Sequence, residues 1–269
     1  MRWRLIVDGP LPGAYNMALD EELASTASRE EVATLRFYQW QRPTLSLGRH
    51  EPAEELPLAE CEAAGLELAR RPTGGRAVLH QLELTYSFTA PASLLGGPKR
   101  VRDAYTHITE ALARGLALLG ITASAGADSL RLGGHMCFGL KAGCDLEVGG
   151  RKVVGSALRR YEGSVLQHGA LPLELDLSKQ YVAFGEKGES EPEFAQRLLA
   201  AVIPFSELLG RKVQPDELIE PLTRGFEESF GAVFESAPAS ELEIARAQEN
   251  LGQFGKVRRS LSAGGELSF

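Results

Sequence analysis

An α+β fold is predicted for this chain. Strand-like segments crowd its first two-thirds, and its last third is mainly helical. A second observation is a run of three short strands between about residues 144 and 174, joined by tight turns as in a meander. Third, no repeat, low-complexity tract or linker divides the chain, so 1–269 reads as one domain, with its motif-bearing part at about 3–176 and a helical part at about 190–255.

The elements follow in order. RWRLIVDG reads as a strand closed by the Gly9-Pro10 turn. AYNMALDEELAS carries Tyr15, Ala18, Leu19 and Leu23 on one helical stripe. TLRFYQW and TLSLG are two strands separated by Arg42-Pro43, and residues 56–64 form a short helix that stops at Gly65. LELARRP is a strand that Thr73-Gly74-Gly75 turns into AVLHQLELTYSFTAP. There Leu82, Leu84, Tyr86 and Phe88 alternate with Glu83, Thr85 and Ser87, the pattern of a half-buried strand. Val101, Ala104, Ile108, Ala111, Leu112 and Leu119 share one face of a helix that Gly120 ends. A glycine-rich loop, 126–143, leads into CDLEV, a Gly149-Gly150 hairpin turn, RKVVGSALRR and GSVLQHGALPLELD. PEFAQRLLAAVI, PDELIEPLTRGFEESF and SELEIARAQENL complete the chain as helices.

Composition narrows the function. The formal net charge of −7 argues against bulk nucleic-acid binding, which favours a basic face. No apolar run reaches the ~18 residues of a membrane span, and the three-residue apolar stretch before Asp8 is too short for a signal peptide. A cytoplasmic monomer with reduced cysteines at positions 61, 137 and 144 is expected.

Three constellations carry chemistry. In Arg70-Arg71-Pro72-Thr73-Gly74-Gly75-Arg76, paired glycines between strands allow close backbone approach to a ligand, with arginines to fix a negative group and His80 just beyond. A tight turn with solvated charges is the plainer reading. Lys152 opens an apolar strand, and Gly155, Ser156 and Ala157 leave room beside it, so its ammonium is placed to donate to an acyl carbonyl. The plainer reading is an exposed position on an edge strand. Cys137 lies in the glycine-rich loop, where a thiol is available to react, with His135 or His168 to accept its proton. Most lone cysteines are inert.

Arg70–His80, Gly150–Ala157 and Val165–Gly169, in that order, together with Asn16–Glu21, Arg36–Trp40 and Thr44–Gly48, resemble the lipoate–protein ligases and octanoyltransferases, relatives of biotin ligase. The resemblance covers about residues 3–176. It implies a curved mixed or antiparallel sheet flanked by helices and enclosing an acyl tunnel. It places Arg71, Thr73, Gly74, Gly75 and His80 at the acyl or acyl-adenylate site and Lys152 on the acyl carbonyl. It has Gly155, Ser156, Ala157, His168 and Gly169 shape the tunnel.

Two chemistries share that scaffold. Ligases activate lipoate with ATP and magnesium. Cysteine-dependent transferases take octanoyl from acyl carrier protein onto a thiol and pass it to a lysine on the lipoyl domain of a dehydrogenase E2 or on the glycine-cleavage H protein. They require no cofactor. Cys137-Phe138, fifteen residues before Lys152, and Gln81 in place of the usual ligase Asp favour a transferase with Cys137 and Lys152 as catalytic residues and no metal. The loop Gly139–Cys144 departs from the transferase pattern and makes Cys144 a rival nucleophile. Lys99, Arg100, Arg102, Lys141, Arg151, Arg159 and Arg160 form a candidate basic rim for acidic carrier proteins, or an ordinary solvated set of strand ends.

Overall fold

The computed structural model describes residues 1–95, 101–126, 145–255 and 257. The fold is organised by β6 (Glu83–Pro91), a central strand whose nine residues are all buried. It pairs antiparallel with β2 (Val32–Trp40) on one side and β10 (Ser164–Pro172) on the other. Beyond β2 lie β1 (Arg2–Leu11) and β11 (Glu235–Ser236), both in parallel pairings. Beyond β10 come β9 (Arg151–Arg160), β8 (Leu146–Val148) and β7 (Ser124–Ala125), all antiparallel. The resulting sheet is mixed, in the order β11-β1-β2-β6-β10-β9-β8-β7.

The two faces of β6 differ in kind. Leu84, Tyr86, Phe88 and Ala90 join a core built against α3 (Val101–Leu118) and α7 (Asp216–Phe230). The alternate residues, expected to face solvent, lie under α1 (Gly13–Glu30), where Ser87 bonds Asp20 of the helix. The half-buried expectation is thus corrected: a covered polar face, with Glu83, Thr85 and Ser87 hydrogen-bonded, reads in sequence like a wet one.

A second sheet, β4-β3-β5, lies beside the first. Here β3 (Thr44–Leu47) pairs parallel with β4 (Glu67–Arg70) and antiparallel with β5 (Val78–His80). The expected hairpin at Thr73–Gly75 therefore does not form, because β3 intervenes between the two strands. The single strand expected after it breaks at Gln81-Leu82, where the Leu82 carbonyl accepts from Leu173 and Glu174 and the chain passes between sheets. Three helices, α2 (Leu58–Ala63), α4 (Leu177–Phe184) and α5 (Glu191–Ala201), pack on this sheet. A short α6 (Phe205–Leu209) follows α5, and α8 (Glu241–Gly255) lies on α1.

Two further corrections are local. The first strand runs through Gly9-Pro10 to Leu11, because a register irregularity between Val7 and Pro10 accommodates the missing proline N–H. The meander is as expected, with Gly149 and Gly150 at φ 58° and 78°, the left-handed pair of a two-residue hairpin. Among the described residues, no helix is long and apolar enough to cross a membrane.

Candidate active site

A cleft opens where the small sheet meets β9 and β10, and most of its wall is apolar, as in small-molecule sites generally. Arg71, His80, Lys152, Gly155, Ser156, Ala157, His168 and Gly169 all line it. The wall is completed by Met17 from α1, Tyr38 and Trp40 from β2, and Val78, Thr85 and Ala170. Small residues face each other where β9 meets β10, with Gly155 opposite Ala170 and Ser156 opposite Gly169. A Cβ on Gly169 would come within 2.4 Å of the Gly155 carbonyl and 2.7 Å of the Tyr86 ring, so only glycine keeps this end open.

Lys152 is 1% exposed. Its strand is enclosed by β8 on one side and by the chain after α5 on the other, where Ile203 N–H donates to the Lys152 carbonyl at 2.9 Å. The exposed-edge reading is thereby excluded. The ammonium lies 2.6 Å from Asp145 Oδ2, and Asp145 Oδ1 accepts the Ser156 N–H at 3.1 Å. A buried amine and carboxylate held this closely keep an ionic group inside an apolar cleft, where either alone would be costly.

Two histidines face the cleft, each held between a carboxylate and a hydroxyl. His168 Nδ1 lies 3.0 Å from Asp20 Oδ2, and its Nε2 lies 2.6 Å from Thr73 Oγ1. His80 Nδ1 lies 2.7 Å from Glu83 Oε1, its Nε2 lies 2.8 Å from Ser46 Oγ, and its ring stacks on Trp40 at 4.0 Å. Burial pushes His168 below the ordinary histidine range and outweighs the opposing pull of Asp20. Neutral His168 then donates from Nδ1 to Asp20 and accepts from the Thr73 hydroxyl. The arrangement has the connectivity of a carboxylate–histidine–hydroxyl triad. The Thr73 and Ser46 hydroxyls hold the two rings in orientation.

Asp20 is the hub that the sequence reading left out. Besides His168 it accepts from Arg36, Tyr38 and Ser87, at 2.8, 2.9 and 2.8 Å. Burial pushes its carboxyl up, but the His168 hydrogen bond and the Arg36 charge together outweigh that and hold it below the usual range. Arg36, fully buried, also bonds Asp8 and Asn16. The Asn16–Glu21 and Arg36–Trp40 motifs are thus two halves of one network beneath the cleft, and a charged residue in each was the available signal.

The glycine turn is braced by Arg71. Arg71 lines the cleft, but its guanidinium donates to the carbonyls of Ser46, Gly74 and Arg76 and to Ser46 Oγ. It braces the turn and is not a free anion clamp. Arg70 likewise holds the Gly48 and Glu51 carbonyls. A Cβ on Gly48 would lie 1.9 Å from the Gly75 carbonyl, so the Thr44–Gly48 motif ends in glycine to let this backbone pass. Gly74, whose carbonyl Arg71 holds, and Gly75 lie in this turn beside the cleft that Arg71 lines.

Cys137, Cys144, His135, Lys99, Arg100 and Lys141 lie outside the described residues. In the candidate basic rim, Arg151 pairs with Glu207 at 2.5 Å and Arg159 with Glu21 at 2.7 Å, which reduces the charge these two present. Cys61 is buried in the core of the small sheet, and burial pushes its thiol up to about 11, so it is inert at neutral pH.

Cleft and sheet together define a catalytic domain of the lipoyl ligase type. Residues 12–227 match the lipoyl protein ligase A/B catalytic domain, and the chain belongs to that family. It is 37% identical over 258 residues to the octanoyltransferase LipM of Geobacillus kaustophilus, covering 92% of this chain and 93% of that one. It is 38% identical over 254 residues to octanoyltransferase LipM of Carboxydothermus hydrogenoformans, covering 91% and 93%. A solved bi-partite lipoate protein ligase from Thermoplasma acidophilum, described with its E2 lipoyl domain, superposes with a TM-score of 0.78 at 25% identity, covering 94% of this chain and 93% of that chain.

Proposed function

We propose that this enzyme transfers an octanoyl group from acyl carrier protein, through a thioester on Cys137, to a lysine ε-amine on a lipoyl domain of an E2 subunit or on an H protein. In the first step the Cys137 thiol gives up its proton and attacks the donor thioester, the acyl C–S bond to the carrier breaks, and the carrier leaves as a thiol carrying that proton. In the second, the acceptor amine attacks the enzyme thioester, an amide forms, the amine loses a proton and the Cys137 thiol is released. Exchange between thioesters is nearly neutral and aminolysis runs downhill, so neither ATP nor a metal is needed.

The observation that carries this reading is the ammonium of Lys152, buried and fixed at the wall of an apolar cleft. A donor fixed there stabilises negative charge developing on the acyl oxygen in both steps. The relatives named octanoyltransferase support the transferase branch. The Cys137-Phe138 pair, fifteen residues before Lys152, supports the role of Cys137.

The alternative is an ATP-dependent lipoate ligase working through lipoyl-adenylate with magnesium. Purified enzyme, octanoyl carrier protein and a lipoyl domain, with and without ATP, separate the two. The transferase modifies the domain without ATP. Modification that requires free lipoate and ATP establishes the ligase instead. Lys152→Met should lower the turnover rate about 100-fold to 1,000-fold. An unchanged rate removes Lys152 from the chemistry.

A further inference from the structure

We infer that Asp145 is a positioning residue for acyl transfer: it aims the Lys152 ammonium at the acyl carbonyl and couples that aim to the wall of the cleft. The inference rests on the proposed function and extends it to the residue just before β8.

Each part of the carboxylate has a partner with a purpose. Oδ2 receives Lys152 Nζ at 2.6 Å, with both side chains almost fully buried. Oδ1 receives the Ser156 N–H at 3.1 Å, and Ser156 lines the cleft four residues along the same strand. Among the described residues, β8 pairs with β9 at Arg151, Lys152 and Val154, and Asp145 immediately precedes β8. The Asp145 side chain serves as backbone acceptor and as counter-ion at once.

The physical consequence concerns orientation. A lysine side chain has four rotatable bonds and an ammonium with three donors, so without a fixed acceptor it samples many positions. One donor held by Asp145 leaves the remaining N–H bonds with defined directions. The acid is tied in turn to the backbone of the cleft wall, so the donor and the wall keep their relative position. Misplacement of a catalytic group by about 1 Å costs on the order of 100-fold in rate.

The test uses Asp145→Asn and Asp145→Glu in the full enzyme, with octanoyl carrier protein as donor and a lipoyl domain as acceptor. Asparagine keeps the volume and the Oδ1 acceptor for Ser156 but loses the charge that holds the ammonium. It should lower kcat about 100-fold while KM for the donor changes less than about threefold. Glutamate, which keeps the charge, should recover about tenfold or more of that loss. An Asn variant with unchanged kcat overturns the inference. An Asn variant that fails to fold, or a Glu variant no faster than the Asn variant, assigns Asp145 to structure alone and overturns it as well. A wild-type enzyme inert with the octanoyl donor counts against the proposed function; active wild type with an unaffected Asn variant counts against this inference alone.

Discussion

At the scale of single residues, most of the cleft's wall was legible from spacing and motif order, and its buried support was not. Lys152, Gly155, Ser156, Ala157, His168 and Gly169 fall on β9 and β10, and the pairing of these two strands brings them together. Asp20 and Glu83 escaped because a carboxylate in an amphipathic pattern reads as solvent-facing. Only the neighbouring helix and histidines reveal that both are buried. His168 gives this network a pH signature. Its folded-state affinity for protons is lowered, so below about 6.5 the unfolded chain takes up a proton there that the folded chain refuses. Stability from urea unfolding should therefore fall as pH drops through 6.5 toward the lowered folded value, and His168→Gln should flatten that slope. An identical slope in the variant contradicts the neutral assignment. Asp20→Asn should cost about 3–5 kcal/mol in the same measurement, because it leaves buried Arg36 short of its counter-charge.

At the scale of elements, the helices and the meander followed their periodicity, and the errors lay where strands change partners. Nothing local in LELARRPTGGRAVLH signals that β3, twenty residues upstream, lies between β4 and β5. That pairing is non-local, and its trace in the sequence is Gly48, whose missing side chain admits the Gly75 carbonyl. Gly48→Ala must therefore move backbone against backbone. A loss of several degrees in thermal midpoint is expected, with reduced acyl transfer, since the same turn carries the Thr73 hydroxyl that bonds His168. A Gly48→Ala enzyme with parental melting and parental rate would show that the turn tolerates displacement.

At the scale of the whole molecule, the architecture places apolar space and buried charge at one junction between two sheets. The large sheet contributes the small-residue wall and Lys152, the small sheet contributes His80 and the braced turn, and α1 covers the network behind them. Fold class and family follow from motif order, because six short motifs in sequence specify one topology even where each alone is weak. The division of labour between arginines did not follow. Arg71 was expected to hold an anion and instead satisfies loop carbonyls, a choice decided by tertiary contacts that no spacing encodes.

The central claim is a covalent relay between donor and acceptor, and intact-mass spectrometry tests it most directly. Enzyme mixed with octanoyl carrier protein, in the absence of ATP and acceptor, should gain a single octanoyl group that hydroxylamine removes and that Cys137→Ser does not acquire. Full acceptor modification by the Cys137→Ser enzyme at the parental rate would contradict the account.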